Sequence, residues 1–293
     1  MSQDVAIFFL AHQWSESIAF RFARLRHQAS PHADCFLLLQ DDEGPVVRHW
    51  REFLEANGIH DVLRTFVAAA LPGQLGFPFF AARQILGNSH FPLLVQARQG
   101  SWRHCWQVES DVEYRGDWQA FFRQFDGNES DLLVSHLHRH ADWPTWAWWN
   151  SLVAPTAEHI APDRLCKGFF PTFRISRQGL DAVEAAHREG WSGHYEAVVP
   201  TVIRARGLAV HDLRATTPCY EGGSQNPSAI LPLQSTMRWR PEITPAEFLR
   251  RGTAPLLFHP VKQNWAFDNV TLRSWPEPTA TAPSSPTEMP RSP

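Results

Sequence analysis

The chain opens on a continuous apolar run at residues 5–10, Val-Ala-Ile-Phe-Phe-Leu. A run without polar alternation reads as a strand covered on both faces. Residues 11–14, Ala-His-Gln-Trp, follow as a loop. Ser15 reads as an N-cap, and Ile18, Phe22 and Leu25 fall on one face of a helix reaching about His27. Residues 35–39 form a second buried strand, which runs out into Gln40-Asp41-Asp42-Glu43-Gly44. Residues 45–56 form a second helix, stopped by Asn57-Gly58. This alternation predicts a parallel sheet with right-handed crossovers. Residues 71–80, rich in Gly, Pro and Phe, read as an ordered loop. Residues 81–86 and 91–99 read as helical and lead to a short buried strand at 106–108.

Beyond that strand, Asp117 caps a helix with Trp118, Phe121, Phe122 and Phe125 on its core face. Residues 131–137 are another strand, and 167–176 an extended segment. Residues 177–189 make a helix with a charged outer face. Glu196 falls in the first turns of a short helix that Pro200 should kink or restart. Residues 207–213 read as a strand, 214–255 as irregular, and 256–262 as a last buried strand. The pattern predicts one α/β domain over residues 1–274. A Pro/Ser/Thr-rich tail at 275–293 lacks core-forming residues and is expected to be disordered.

Composition narrows the class. With 43% hydrophobic and 19% charged residues among 293, the chain can bury a substantial core. A net charge of -3 offers no basic field for nucleic acid. No apolar stretch is long enough for a membrane span, and the N-terminus lacks the basic region of a secretory signal. The four cysteines are widely spaced, which points to reduced thiols and a cytoplasmic setting. Neither GxGxxG nor GxxxxGK[ST] occurs, so a dinucleotide fingerprint and a P-loop are both absent.

The chemistry gathers at strand ends. The strand at 106–108 runs into Glu109-Ser110-Asp111. Carboxylates two apart on an extended segment share a side and can converge on one ligand, at the sheet end where ligands bind. The same residues also read as a solvated polar turn. Asp41 ends the second strand where a sheet enzyme holds a nucleotide's base or ribose, and it too fits a plain turn. His136, His138 and His140 alternate, which permits a metal site, and they also read as a solvated, pH-sensitive loop. Residues 142–149 contain Trp143, Trp146, Trp148 and Trp149, either a platform for a sugar or a packed lid. Thirteen tryptophans in the chain suit a sugar cleft as well as a core. Glu196 stands beside His194 and Tyr195, either as a positioned base or as compensation of the helix dipole. His259 and Lys262 end the last apolar run.

In this order the pieces resemble nucleotide-sugar-dependent glycosyltransferases of the A-type fold. The similarity is to bacterial and fungal relatives sharing a Trp-x-x-Glu-x-Asp-Val-x-Tyr-x-Gly-x-Trp stretch, here Trp106, Glu109, Asp111, Val112, Tyr114, Gly116 and Trp118. The resemblance implies a Rossmann-like mixed sheet flanked by helices. It sets Glu109-Ser110-Asp111 where the family's Asp-x-Asp motif holds the donor's ribose and, through Mn²⁺ or Mg²⁺, its diphosphate. The first acid here is Glu, and some branches with altered motifs work without metal. By the same resemblance Glu196 matches the catalytic base of inverting members, His259 a late metal ligand, and Lys262 a counter-charge for the leaving diphosphate.

The expectation is therefore a hexosyl- or N-acetylhexosaminyl-type transferase. Its partners would be a nucleoside-diphosphate sugar, bound through Asp41, Glu109, Asp111 and Lys262, and a hydroxyl-bearing glycan or glycoconjugate acceptor. The acceptor would meet Trp146, Trp148, Trp149, His194 and Tyr195. Two alternatives stay open: a non-catalytic glycan-binding protein on a decayed transferase frame, and a metal-dependent hydrolase built on His136, His138, His140 and Asp142.

Overall fold

The apolar run near the N-terminus becomes the strand around which a mixed sheet is laid. The computed structural model describes residues 3–41, 44–78, 88–155, 160–222, 234–262 and 264–276. In chain order its strands are β1 (Val5–Ala11), β2 (Asp34–Gln40), β3 (Leu63–Phe66), β4 (His104–Glu109), β5 (Glu113–Tyr114), β6 (Leu132–Arg139), β7 (Cys166–Ser176), β8 (Val210–Asp212), β9 (Leu257–Phe258), β10 (Trp265–Phe267) and β11 (Leu272–Ser274). The helices are α1 (Glu16–Ala29), α2 (Pro45–Ala56), α3 (Leu71–Leu75), α4 (Phe91–Ala97), α5 (Trp118–Arg123), α6 (Arg177–Glu189), α7 (Tyr195–Ala205) and α8 (Pro245–Arg250).

Seven strands form one sheet in the order β3-β2-β1-β4-β7-β6-β8. Strands β3, β2, β1 and β4 run parallel, and β7 lies antiparallel between β4 and β6. The α/β class and the mixed sheet flanked by helices are as expected. Side chains alternate faces along β1. Ile7 and Phe9 meet α1, α2 and α5, whereas Ala6 and Phe8 meet the layer made by α3, α4, α6 and α7. Both faces are dry, which is why the run carries no polar alternation.

Chain order sets a switch point within the sheet. The chain steps outward from β1 to β3, then returns to set β4 on the other side of β1. The carboxyl ends of β1 and β4 thus flank a topological switch point, the position where open α/β sheets bind ligands.

Several elements follow the sequence closely. Ser15, Asp117 and Ser176 cap α1, α5 and α6 through their side-chain oxygens. Gly190 ends α6 at φ +108°, a conformation open to glycine. Trp118, Phe121, Phe122 and Phe125 are all buried, and three of them ring Trp106 of β4. Gly116 has its own reason: a Cβ there would meet the Tyr114 ring at 2.6 Å. All four cysteines are buried and free.

Other expectations are corrected. The loop at 71–80 begins with a short helix, α3. The edge strand β3 was not anticipated, because its Leu-Arg-Thr-Phe alternation is too short to stand out. Pro200 neither kinks α7 into two nor restarts it; one helix runs from Tyr195 to Ala205. Burial of Tyr195 through Ile203 against the sheet outweighs one missing hydrogen bond, that of the Glu196 carbonyl. The region 214–255 contains α8, capped by Thr244. The run at 256–262 is not a strand of the main sheet. It supplies only β9, which pairs antiparallel with β5 directly after the acidic turn. The helix expected at 81–86 and residues 277–293 of the tail lie outside the described residues. No helix among the described residues is long and apolar enough to cross a membrane.

One buried charge cluster joins these parts. Glu113 of β5 is 1% exposed and pairs with Arg21 (Nε–Oε2 3.3 Å) and Arg24 (Nη2–Oε1 2.9 Å), both from α1. Arg21 also donates to the carbonyls of Ser110, at 3.0 Å, and Trp265. Arg24 donates to the carbonyls of Tyr114 and Phe267. Removing one partner from such a cluster strands buried charge, at a cost of about 3–5 kcal/mol. Glu113→Ala should lower stability by that amount in a denaturant titration; an unchanged midpoint would show the cluster to be inert.

Candidate active site

The acidic residues lie on a turn rather than on a continued strand. Strand β4 ends at Glu109, and the Val112 amide closes back on the Glu109 carbonyl at 3.0 Å. The turn is held from three sides. The Ser110 amide donates to the Leu10 carbonyl of β1 (2.9 Å), the Ser110 carbonyl receives Arg21, and the Asp111 carbonyl receives the Val261 amide (2.8 Å). The convergence expected of Glu109 and Asp111 is therefore reached, but by a turn.

His259 completes the group. Its Nε2 lies 3.3 Å from Asp111 Oδ1 and 3.7 Å from Glu109 Oε2. One ligand atom from each of the three residues falls within 4.8 Å of the others, and among the described residues this is the cluster with metal-binding spacing. His259 Nδ1 donates to the Arg238 carbonyl at 2.8 Å, which aims Nε2 at the carboxylates. Arg238 is itself fixed by a two-pronged ion pair with Glu247, both contacts at 2.7 Å. Lys262 stands at the rim, 63% exposed, with Nζ 3.8 Å from Asp111 Oδ2. Two carboxylates and an oriented imidazole are a donor set that suits Mn²⁺ or Mg²⁺.

The electrostatics follow from crowding. Burial, then the neighbouring Asp111 charge, pushes the Glu109 carboxyl upward. Burial acts upward on Asp111 too, but His259, Lys262 and Arg21 outweigh it and hold the group down. Two adjacent acids with opposite shifts share their negative charge unequally until a cation joins them.

Glu196 approaches from the opposite layer. It is buried in the first turn of α7, and its carboxylate receives the backbone N–H of Phe170 in β7. Burial raises it to about 7, against the downward pull of Lys167 and His259. His194 caps α7, its Nδ1 accepting from the Glu196 amide at 3.4 Å. Burial and the Lys167 charge push the His194 ring down to about 4, so it stays neutral.

The tryptophan segment is zipped onto this helix start. Val153 and Ser192 form a two-way backbone bridge, and Ser151 Oγ accepts from the His194 amide at 2.9 Å. Gly193, at φ +132°, lets the backbones touch; a Cβ there would lie 2.6 Å from the Ser151 carbonyl oxygen. Trp148 is 51% exposed and stacks on His194 at 4.7 Å. Trp146 is half-buried and meets His194 edge-on at 6.1 Å. Trp149 and Tyr195 are buried behind them, Trp149 donating to the Trp143 carbonyl and Tyr195 packing on Phe170. The segment is thus packed at its base and leaves the Trp148 ring open.

A scan against protein-family models finds no match, and a search of curated proteins finds none either. Among solved structures, the chain path is similar to that of a mannosyltransferase of S. cerevisiae, Ktr4p, at 11% identity and a TM-score of 0.41, covering 72% of this chain and 69% of that one. It is similar also to mouse xyloside xylosyltransferase 1 at 12% identity and a TM-score of 0.40, covering 72% of this chain and 85% of that one. Both are too distant to carry residue roles across.

The remaining candidates scatter. Asp41 sits at the carboxyl end of β2, on the same sheet edge as Glu109 but beyond β1. His136, at φ +48° in the irregular pairing of β6 with β7, turns its Nε2 to the Met237 carbonyl at 2.7 Å. Asp142 is held by Arg139 at 3.1 Å. Among the described residues, His136, His138, His140 and Asp142 make no joint ligand set, so the histidine-based hydrolase has no centre here. Arg21 and Lys167 escaped notice as site residues. Arg21 was visible as an arginine on the Ile18–Phe22–Leu25 stripe, and Lys167 as a lysine just ahead of the Gly-Phe-Phe-Pro run of residues 168–171. If the cluster takes a divalent cation, Asp111→Asn and His259→Ala should each weaken Mn²⁺ binding at least tenfold in calorimetry. Equal affinity in both variants would place the ion elsewhere.

Proposed function

We propose that this chain is a glycosyltransferase of the A-type fold that moves a sugar from a nucleoside diphosphate to a hydroxyl acceptor, with inversion. The observation that carries the reading is the meeting of Glu109, Asp111 and His259 at the switch point of the sheet, with the buried Glu196 carboxyl close enough to feel their charges. Support also comes from the mixed sheet itself and from the Trp106-to-Trp118 stretch that the acidic turn occupies.

In this reading Asp111 and His259, with Glu109 beside them, would hold Mn²⁺ or Mg²⁺, which would supply positive charge where the leaving diphosphate gains negative charge. Lys262, on its exposed stem at the rim, adds a second cation for the same oxygens. Asp41 and the acidic turn border the donor's nucleoside side. The acceptor sugar lies against Trp148, Trp146 and His194, with Trp149 and Tyr195 backing the wall.

Glu196 is the base. It takes the proton of the acceptor hydroxyl while that oxygen attacks the anomeric carbon and the bond to the diphosphate breaks. A group near 7 is a sound choice: it is substantially ionised at neutral pH and still basic enough to accept a proton in the transition state. Its raised value has a sign that can be read. The base works only when ionised, so kcat/KM should climb with pH through about 7 and level off above it.

The decisive experiment is thermal unfolding against a panel of nucleoside diphosphates and nucleotide sugars, with and without Mn²⁺. Occupying a site at about 100 times its dissociation constant adds about 2.7 kcal/mol of stability. One nucleotide should shift the transition, more strongly with Mn²⁺. With that donor in hand, Glu196→Gln should cost roughly 10²–10⁴ in kcat, the span of a general base, with donor binding intact. Full activity in that variant would remove Glu196 from the role. Sugar binding without any nucleotide shift would leave a glycan-binding protein.

A further inference from the structure

Lys167 has no task in the chemistry above, although it is the cation nearest in kind to the base. It sits one residue into β7, opposite His138, and is only 5% exposed. Among the described residues its ammonium makes no ion pair and no hydrogen bond. It lies over two indole rings instead, 4.7 Å from the centroid of Trp146 and 5.1 Å from that of Trp143. Ring faces answer the charge in part, but they leave the ammonium's N–H donors unused. Nζ is not among the atoms sealed from solvent, so those donors stay open to a ligand.

The geometry shows where an acceptor would come from. Trp146 touches both Lys167 and His194, and His194 caps the helix that carries Glu196. The cation and the helix start that carries Glu196 therefore border one aromatic wall. Lys167 and Glu196 act on each other's ionisation, yet the two form no ion pair, since Glu196 is turned to the Phe170 amide and Lys167 to the rings. Lys167 thus offers N–H donors and Glu196 carboxylate lone pairs, and sugar hydroxyls can accept from the one and donate to the other. One hydroxyl donates to Glu196, and the next accepts from Lys167. Trp148 offers an open ring for the apolar face of the same pyranose. Lys167 and Glu196 are of opposite sign and offset each other. The nearby His136, His138 and His194 rings are all pushed down by burial and add nothing at neutral pH.

We propose that Lys167 is an acceptor-binding residue that works opposite Glu196, and that together they select an uncharged pyranose with adjacent hydroxyls over sugars carrying a carboxylate or phosphate. The proposal rests on the transferase reading for the identity of the Glu196 side as the acceptor side. An added anion would meet a site whose positive charge is already matched, and would leave net negative charge buried beside the base.

The test is a titration followed by tryptophan fluorescence, with saturation-transfer NMR as a second readout. The probes are methyl hexopyranosides, the corresponding methyl hexuronides, and hexose 6-phosphates. Wild type should bind at least one neutral glycoside at least tenfold more tightly than its acidic counterparts. Lys167→Met should lose at least tenfold of that affinity, while the nucleotide-induced thermal shift stays as in wild type. Lys167→Gln, which keeps a donor without the charge, should recover part of the loss. Acidic sugars binding more tightly than neutral ones would overturn the proposal, as would undiminished neutral binding in Lys167→Met. If the variants do not fold, the wild-type comparison of neutral and acidic sugars still decides. A nucleotide shift without any sugar binding would overturn this proposal alone; silence toward all nucleotides would overturn the transferase reading beneath it.

Discussion

The carboxylate of Glu113, closed in between Arg21 and Arg24, is the contact on which the site geometry depends. A single buried acid gathers two guanidiniums from α1. Their remaining N–H groups reach the Ser110, Tyr114, Trp265 and Phe267 carbonyls. The acidic turn, the small pairing of β5 with β9, and the hairpin of β10 with β11 are thus tied to one helix. Such clusters seldom add net stability over an apolar filling, yet they tolerate only one arrangement. Geometry is what a turn presenting two carboxylates requires, because Ser110 lies between them and its carbonyl is held from beneath.

A second layer of restraint lies above the turn. His259 is oriented through its Nδ1 by the Arg238 carbonyl, and Arg238 by Glu247. The ligand-facing nitrogen is therefore set by a chain of contacts that ends in α8, far from any substrate. On the other layer, Gly193 and the Val153–Ser192 bridge set the tryptophan segment against the start of α7. The acidic turn and the start of α7 are each fixed by backbone contacts, so Glu109, Asp111, His194 and Glu196 project from fixed turns and caps.

Much of this was legible in the sequence where burial is symmetric. The runs of β1 and β2, the caps at Ser15, Asp117 and Ser176, and the aromatic face of α5 announce themselves through composition and period. The acidic pair and His259 were legible as candidates, since polar residues at the end of an apolar run stand out. What could not be read was non-local. Nothing near residues 257–258 says that they pair with 113–114 instead of joining the main sheet. Pro200 suggested a break, yet tertiary burial overrode the local rule. The alternating histidines promised a common face, but the irregular pairing of β6 with β7 and the positive φ of His136 undo that alternation. Lys167 was hidden for the opposite reason, because its meaning comes from two rings in a segment that precedes it.

The pairing of β5 with β9 has a consequence for the life of the chain on the ribosome. Strands β1 to β4 and helices α1 to α4 can assemble while the rest is still being made, since all of them lie within residues 5–109. The turn they present lacks its imidazole at that stage, since His259 lies about 150 residues further along the chain. Any ability to hold a cation through all three side chains therefore waits until residues 257–262 close over Glu113 and Asp111.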